Sequence, residues 1–316
     1  MTPRVVVLGS LNRDHVVQVP RLPAPGYTVI GGGLLTFAGG KGANQAVAAA
    51  RLGAQVAMVG RTGDDDAGWA ITAALAAEGV DVSGVSRDPA TPTGAALIMI
   101  ERGGQNLIAV APGANATVGE TEVVDALERL RPDDILVLQL EIPVRAVESA
   151  VQQAASLGAR VMLNAAPAAP IGPATLRSLD VLVVNEGEAQ ALAGIPPREA
   201  ASALARRGPA AVVVTLGKHG AVLSQGQSSL HVPPRAVHAV DATAAGDAFV
   251  GGLAAALVEG VGRREAVWYA NAAGAAAATV VGAQSSLPTR EDLRRLFGPH
   301  TDIASPNEPP EGLQPL

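Results

Sequence analysis

The ten residues Val240-Asp241-Ala242-Thr243-Ala244-Ala245-Gly246-Asp247-Ala248-Phe249 carry the arrangement in this chain best suited to chemistry. Small residues lead into Asp247, and Phe249, Leu253, Ala256 and Leu257 follow at helical spacing, which predicts a helix with Asp247 in its first turn. Free N–H groups and the positive end of the helix dipole converge at such a start. Ala244, Ala245 and Gly246 leave no bulk there to hold an anion off the backbone. The same field favours an ionised Asp247, available as a base. Ordinary capping also places an acid in a first turn, so this stretch alone leaves both roles open.

A second cluster is Phe37-Ala38-Gly39-Gly40-Lys41-Gly42-Ala43-Asn44-Gln45, a glycine-dense loop opening a helix. Bare main chain can approach a ligand closely there, while Lys41 and Asn44 add donors suited to hydroxyl groups. Loops also use glycine simply for positive φ, so this cluster too has a bland alternative. Further polar groups stand at the ends of apolar strand-like runs: Asn12 and Asp14, Glu141, Asn164, Asn185, and Thr215 with Gly217. The common phosphate and metal solutions are missing. Lys41 precedes Gly42 and Lys218 precedes His219, so neither completes a P-loop. No Gly-x-Gly-x-x-Gly follows the first strand, and His15, His219, His231, His238 and His300 lack zinc-ligand spacing.

The elements that must position these groups alternate. Val5–Gly9 reads as a buried strand, and from Lys41 onward helices and Ile/Leu/Val strands take turns: helix 41–52, strand 56–60, helix 66–78, helix 120–130, strand 134–140, helix 144–157, strand 160–164, strand 181–185, helix 197–207 and strand 211–216. That rhythm predicts an α/β three-layer sandwich on a mostly parallel sheet, with ligands beyond the carboxyl ends of its strands. Segments 11–19, 27–37, 94–101 and 106–111 share no helices and read as a small separate sheet, a lid with apolar residues on both faces; its last pair flanks Arg102-Gly103-Gly104-Gln105 as a hairpin. One lid face is expected to meet another surface, such as a second subunit. Helices over 263–279 and 290–297 follow, and residues 299–316 form a Pro-rich tail with no expected core role.

Composition narrows the class. Hydrophobic residues make up 48% of the 316 but aromatics only 2%, so the core must be built from Ala, Val, Leu and Ile. Without cysteine there is no disulfide or thiolate metal site. A formal charge of −6 with no Lys/Arg tract argues against a nucleic-acid surface. No apolar run reaches the roughly 18–20 residues of a membrane span, and the N-terminal run is too short for a signal peptide, so the expected setting is cytoplasmic, with no membrane partner.

Gly9-Ser10-Leu11-Asn12-Arg13-Asp14, Gly39-Gly40-Lys41-Gly42-Ala43-Asn44-Gln45, Leu138-Gln139-Leu140-Glu141, Asn185-Glu186-Gly187-Glu188, Thr215-Leu216-Gly217-Lys218-His219-Gly220 and Asp241-Ala242-Thr243-Ala244-Ala245-Gly246-Asp247 occur in this order. Together they resemble the ribokinase/PfkB family of carbohydrate kinases over about Val5 to Phe297. The resemblance implies a ribokinase-like domain over 1–298, with lid strands from about 11–37 and 93–111. It implies MgATP as donor, the 5-hydroxyl of D-ribose as acceptor, and a homodimer through the lid. Asp247 then matches the catalytic base, and Ala244, Ala245 and Gly246 the anion hole. Asn12, Asp14, Gly40, Lys41, Gly42, Ala43, Asn44, Glu141 and Asp247 match the sugar site. Asn185, Glu188, Thr215, Leu216, Gly217, Lys218, His219, Gly220, Gly246, Asp247 and Asn271 match the nucleotide site, with Asn185 and Glu188 tied to Mg²⁺ and phosphate. A K⁺ ion beside the anion hole is implied at Asp241, Thr243, Ala277, Val280, Gly282 and Ser286. The pattern leaves other acceptors open (fructose, 2-keto-3-deoxygluconate, a nucleoside), as well as a non-catalytic sugar-binding module.

Overall fold

In the computed structural model, which describes residues 4–101, 105–301 and 314–315, the chain opens on β1 (Val5–Leu8), four aliphatic residues with no exposed surface. A strand of this kind needs cover on both faces. Val5 and Val7 enter one apolar core, and Val6 and Leu8 enter another, which makes β1 the centre of a three-layer sandwich.

The lid follows at once with β2 (Asn12–Val19) and β3 (Leu34–Gly39), and then the layered part resumes with α1 (Lys41–Arg51), β4 (Val56–Gly63), α2 (Asp66–Ala77) and β5 (Asp81–Asp88). The lid is completed by β6 (Gly94–Glu101) and β7 (Asn106–Ala111). From there the chain runs through α3 (Glu120–Arg129), β8 (Ile135–Gln139), α4 (Val144–Ser156), β9 (Arg160–Asn164), α5 (Pro173–Arg177), β10 (Val181–Asn185), α6 (Glu186–Ala193), α7 (Pro197–Ala205), β11 (Val212–Thr215), β12 (Ala221–Gln225) and β13 (Ser228–Val232). It ends with α8 (Ala245–Val258), α9 (Arg263–Ala277), α10 (Arg290–Phe297) and a two-residue β14 (Gln314–Pro315).

Among the described residues the large sheet has the order β14-β13-β12-β11-β10-β9-β8-β1-β4-β5. Strands β11, β10, β9, β8, β1, β4 and β5 run parallel, and β12 to β14 add an antiparallel edge. One core lies under α1, α2, α8 and α9, and the other under α3 to α7. The lid is a separate four-stranded sheet, β3-β2-β6-β7, joined to β1 through the short turn at Gly9–Leu11. Among the described residues no helix is long and apolar enough to cross a membrane.

Several elements differ from the sequence expectation. The second lid strand begins at Leu34 rather than at residue 27, because Gly31, Gly32 and Gly33 offer no side chains to pack and only Gly32 reaches the sheet, donating its N–H to Gln18 O at 2.8 Å. Strands β5 and β13 and helices α5 and α6 were not predicted. Their segments are short and polar, and they form because neighbouring strands and the second core accept them. The turn 102–104 and residues 302–313 and 316 of the expected tail lie outside the described residues.

With so few aromatics, packing relies on close helix approach. Gly251 of α8 faces α1, and a Cβ there would lie 2.4 Å from Ala48 Cβ and 2.8 Å from Ala49 N, with no flexible side chain to give way. Gly251→Ala therefore pushes apart the two helices whose first turns build the site. It should lower stability by about 1–3 kcal/mol, read as a lower urea midpoint at constant slope. An unchanged midpoint would contradict the close contact of α1 with α8.

Candidate active site

Three cavities lie side by side along the carboxyl ends of β1, β8, β9, β10 and β11, the crevice position expected of an open α/β sheet. The first, of about 310 Å³, lies under the lid, between Asn12, Asp14, Gly40, Asn44 and Glu141 on one side and Asp247 on the other. The second, of about 230 Å³, is lined by Asn164, Asn185, Glu188 and Thr215. Lys41, Ala244 and Asp247 border both. The third, of about 550 Å³, runs from Thr215, Gly217, Lys218 and Gly220 to Ala245, Gly246 and Asn271, and shares Thr215 and Gly246 with the second. Asp247 thus stands where the first cavity opens into the second.

Each side chain is placed by a local device. Gly40 caps α1 at φ 90°, and a Cβ there would fall 2.8 Å from Ser10 O and Asn12 N, so only glycine lets the helix start this close to the end of β1. The turn is closed by Ala43 N donating to Ser10 O at 3.0 Å and Gly42 N to Ser10 Oγ at 3.3 Å. Ser10 Oγ donates to Glu141 Oε2 at 2.6 Å, and Lys41 N donates to the same oxygen at 3.1 Å. Asn12 Oδ1 accepts from Asn115 Nδ2 at 2.8 Å, which aims it from below. Asp247 is held from α1: Asn44 Nδ2 donates to its Oδ2 and Gln45 Nε2 to its Oδ1, both at 3.0 Å. The other carbonyl of Asn44, Oδ1, is buried with no partner and belongs to a residue lining the first cavity.

Helix α8 starts as predicted, with Ala244 as its cap in the left-handed region at φ 57°. Ala245 N donates to Ala242 O at 3.2 Å. Gly246 and Asp247, in the first turn, have no intrahelical acceptor for their N–H groups, and these are the donors left for an anion. Asn185 and Glu188 form a capping box on α6, Glu188 N donating to Asn185 Oδ1 at 2.9 Å and Asn185 N to Glu188 Oε2 at 2.8 Å. The pair therefore caps a helix and borders the second cavity at once.

The electrostatics are acid-rich. Four carboxylates (Asp14, Glu141, Asp241 and Asp247) and one cation, Lys41, line the first cavity. Burial pushes the Asp14 carboxyl from 3.8 to about 7, helped by Glu141 and Asp247. Burial also raises Asp247, against the opposing pull of Lys41, Asn44 and Gln45. Glu188 is raised by burial too. For Lys41 burial works the other way, but Asp247, Glu141 and Glu188 more than offset it and hold the ammonium above its ordinary value. An acid-lined cavity repels anions and offers acceptors to hydroxyl groups, so it suits a neutral polyol.

Some predicted positions play supporting parts. Ala43 is fully buried under the α1 turn, Leu216 is buried with its N–H donating to Gly220 O, and His219 offers its carbonyl to His231 Nε2 at 2.8 Å; none of the three lines a cavity. Asn271 borders the third cavity, but its amide donates to Val232 O and Pro233 O at 3.3 and 3.1 Å, so the group it offers a ligand is an acceptor. Asp241 Oδ1 accepts from Thr243 N and Oγ1, and its Oδ2 accepts from Gly282 N at 2.9 Å, tying the two turns beside α8. Ser286 Oγ, 3.5 Å from Thr243 O, donates to Ala283 O at 2.8 Å. Ala277 is buried and Val280 is exposed.

The sequence reading did not single out Gln45, Asn164 or Arg235 for a role. Arg235 lines the third cavity, stacks 3.6 Å from the Trp268 ring centroid, and has Nε and Nη2 buried with no partner. Its only sequence signal was position, six residues before Asp241.

Because folded Asp14 holds its proton more tightly than the unfolded chain does, its contribution to stability is complete below about pH 4 and is lost as pH rises through about 7. Asp14→Asn removes that loss. The stability difference between about pH 5 and about pH 8 should shrink by an amount on the order of a few kcal/mol, checked by urea unfolding at both values. An unchanged difference would assign the titration to another group.

Comparison with known proteins agrees with this geometry. Residues 2–290 match the model of the pfkB family carbohydrate kinases. The chain is 40% identical to a ribokinase of Haemophilus influenzae over 298 residues, covering 92% of this chain and 97% of the relative. It is 39% identical to a ribokinase of Bacillus subtilis over 293 residues, covering 93% and 99%. The structure of Arabidopsis thaliana ribokinase complexed with ribose and ATP superposes with a TM-score of 0.84 at 33% identity, covering 94% of this chain and 99% of that one. A match over nearly the whole chain, with the motif residues gathered around one crevice, places this chain in the pfkB family of carbohydrate kinases.

Proposed function

We propose that this chain transfers the γ-phosphoryl group of MgATP to the 5-hydroxyl of D-ribose. The observation that carries the reading is Asp247, in the first turn of α8, buried and shared by an acid-lined cavity and the cavity next to the helix start. Ribose occupies the first cavity, with its hydroxyls donating to Asp14 and Glu141 and accepting from Lys41 and Asn12. Asn44 Oδ1, unmet in the ligand-free protein, accepts one further hydroxyl. ATP lies along the third cavity, its base near Asn271 and Arg235 and its ribose and phosphates over Thr215 to Gly220. The γ-phosphate reaches the second cavity, bordered by Asn185 and Glu188.

Phosphoryl transfer asks the protein mainly for in-line alignment and for neutralisation of charge on the phosphate oxygens. The Gly246 and Asp247 N–H groups meet that charge, and Lys41, which borders both cavities, supplements them as it moves from acceptor to phosphate. Asp247 takes the proton of the attacking hydroxyl, late in the transfer because an alcohol is far less acidic than a carboxylic acid. Closure of the lid over the first cavity excludes water, the competing acceptor.

Two cations belong to the same reading. Among the described residues no three acid or histidine side chains gather into a metal cage, which suits Mg²⁺ held mainly by phosphate oxygens and water, with Glu188 and Asn185 as its protein neighbours. Asp241 has donors on both oxygens but no ion pair among the described residues, beside the turn carbonyls of Thr243, Ala277, Val280 and Gly282 and the Ser286 hydroxyl. That donor set fits K⁺, whose charge would strengthen the anion site next to it. A homodimer through the lid is part of the proposal, supported by the exposed apolar side chains Leu34, Leu35, Leu97, Leu107, Ile108 and Val110 on that sheet. So is a cytoplasmic setting, where MgATP is supplied.

A coupled assay with MgATP and a panel of sugars tests the acceptor. Ribose should turn over fastest, 2-deoxyribose measures what one hydroxyl contributes, and a hexose turned over faster than ribose would defeat the assignment. Asp247→Asn should cut kcat roughly 10²- to 10⁴-fold with ribose binding kept. Asp241→Asn should weaken activation by K⁺ while leaving measurable turnover. Light scattering reports the dimer, and a monomer at working concentrations would remove that element alone.

A further inference from the structure

Gln45 lines none of the three cavities and is 1% exposed, yet every polar atom of its side chain is engaged. One amide hydrogen goes to Asn164 Oδ1 at 3.0 Å and the other to Asp247 Oδ1 at 3.0 Å. Its oxygen accepts from Gln139 Nε2 at 2.7 Å, and Asn164 Nδ2 donates to Val183 O at 3.2 Å. The direction of this chain is dictated from both ends. A main-chain carbonyl can only accept, so Asn164 turns its NH₂ to Val183 and its oxygen to Gln45. An ionised carboxylate also only accepts, so Gln45 turns its NH₂ to Asp247. The arrangement leaves Gln139 Oε1 buried with no partner, a cost that an apolar residue at position 139 would avoid. A costly amide chain ending on the reacting carboxylate has a use other than stability.

We propose that Gln45 is a positioning residue for Asp247: locked by Gln139 and Asn164, it fixes the rotation of the Asp247 carboxylate and stabilises its ionised form toward the acceptor hydroxyl. The inference rests on the reading of Asp247 as the base. With Asn44 on Oδ2 and Gln45 on Oδ1, neighbouring residues of one helix hold both oxygens, so the carboxylate cannot turn without losing both bonds. Burial raises the Asp247 carboxyl and the two amides oppose that rise, in the company of Lys41 from the same helix. The other charges facing Asp247 are Asp14 from β2, Glu141 beyond β8 and Glu188 from α6, while α9 brings only the uncharged Gly274 against Ala245 O. None of these charged groups hydrogen-bonds to the Gln45 side chain, so a Gln45 substitution leaves them in place.

The test is the titration of the Asp247 carboxyl in ligand-free protein, followed by ¹³C NMR and assigned with Asp247→Asn. In Gln45→Leu it should move up by about one to two pH units, the amount expected for one hydrogen bond to a charged group. The acid limb of the kcat profile should follow it, with kcat down roughly tenfold or more near neutral pH and the KM for ribose within about twofold. Gln45→Glu, of the same shape, should move the limb further, because a second carboxyl then faces the first. Gln139→Leu unlocks Gln45 without touching Asp247 and should give a smaller shift in the same direction with no loss of stability. This last variant carries the test if Gln45→Leu does not fold. An unmoved Asp247 titration, or a raised KM with an unchanged pH profile, would overturn the proposal and make Gln45 a packing residue. A wild-type protein that fails to phosphorylate ribose would instead defeat the functional reading, while the ligand-free titration still decides the role of Gln45.

Discussion

The site depends on one contact: the first turn of α1 against the first turn of α8, closed by two amide hydrogen bonds onto the Asp247 carboxylate. The helices come from positions more than 200 residues apart, and nothing local brings them together. What does is the small-residue seam between them, where Gly251 backs onto Ala48 and Ala49. A buried carboxylate is unfavourable without donors, and a helix start is unfavourable with its N–H groups unmet. In this arrangement α1 supplies donors to the carboxylate, and the α8 start keeps two N–H groups facing a cavity.

The division of charge follows from that contact. Acid groups gather where hydroxyl donors are to be recognised, and the main-chain N–H groups at the start of α8, with Lys41, face the side where phosphate charge would develop. Lys41 is the hinge between the two regimes. It borders both cavities, and three carboxylates hold its ammonium charged despite burial. Asp14, pushed up to about 7, shows the opposite outcome, since burial and two like charges act on it with no cation of its own. The same cluster of acids thus holds members in different protonation tendencies, and their surroundings rather than their residue type decide which.

The parts legible in the sequence were those with a strong local signal. Aliphatic runs such as Val5–Leu8 and Ile135–Gln139 can only be buried strands, and alanine-rich stretches with caps, such as Lys41–Arg51, can only be helices of a layered fold. Where the signal was weak, in β5, β13, α5 and α6, the element exists because its neighbours complete it, and period-counting on a short polar segment has nothing to measure. The lid strand at Leu34–Gly39 shows the reverse error, a β-like run whose glycines deprive it of side chains to pack.

For function the boundary falls in a similar place. By itself the sequence determined the chemical inventory: a small-residue helix start carrying Asp247, a glycine turn carrying Lys41 and Asn44, and acids at strand ends, in an order that resembles one family. These are properties of residue type and spacing along the chain, which local backbone rules translate directly into a capped helix or a tight turn. Only the tertiary structure decided which of those groups touch, that Ala43 and Leu216 stay in the core, and that Gln45, Gln139 and Asn164 form a directed amide chain ending on Asp247. The reason is physical. Hydrogen-bond direction and burial depend on partners more than a hundred residues away, and no one-dimensional pattern encodes which buried amide will face which carboxylate.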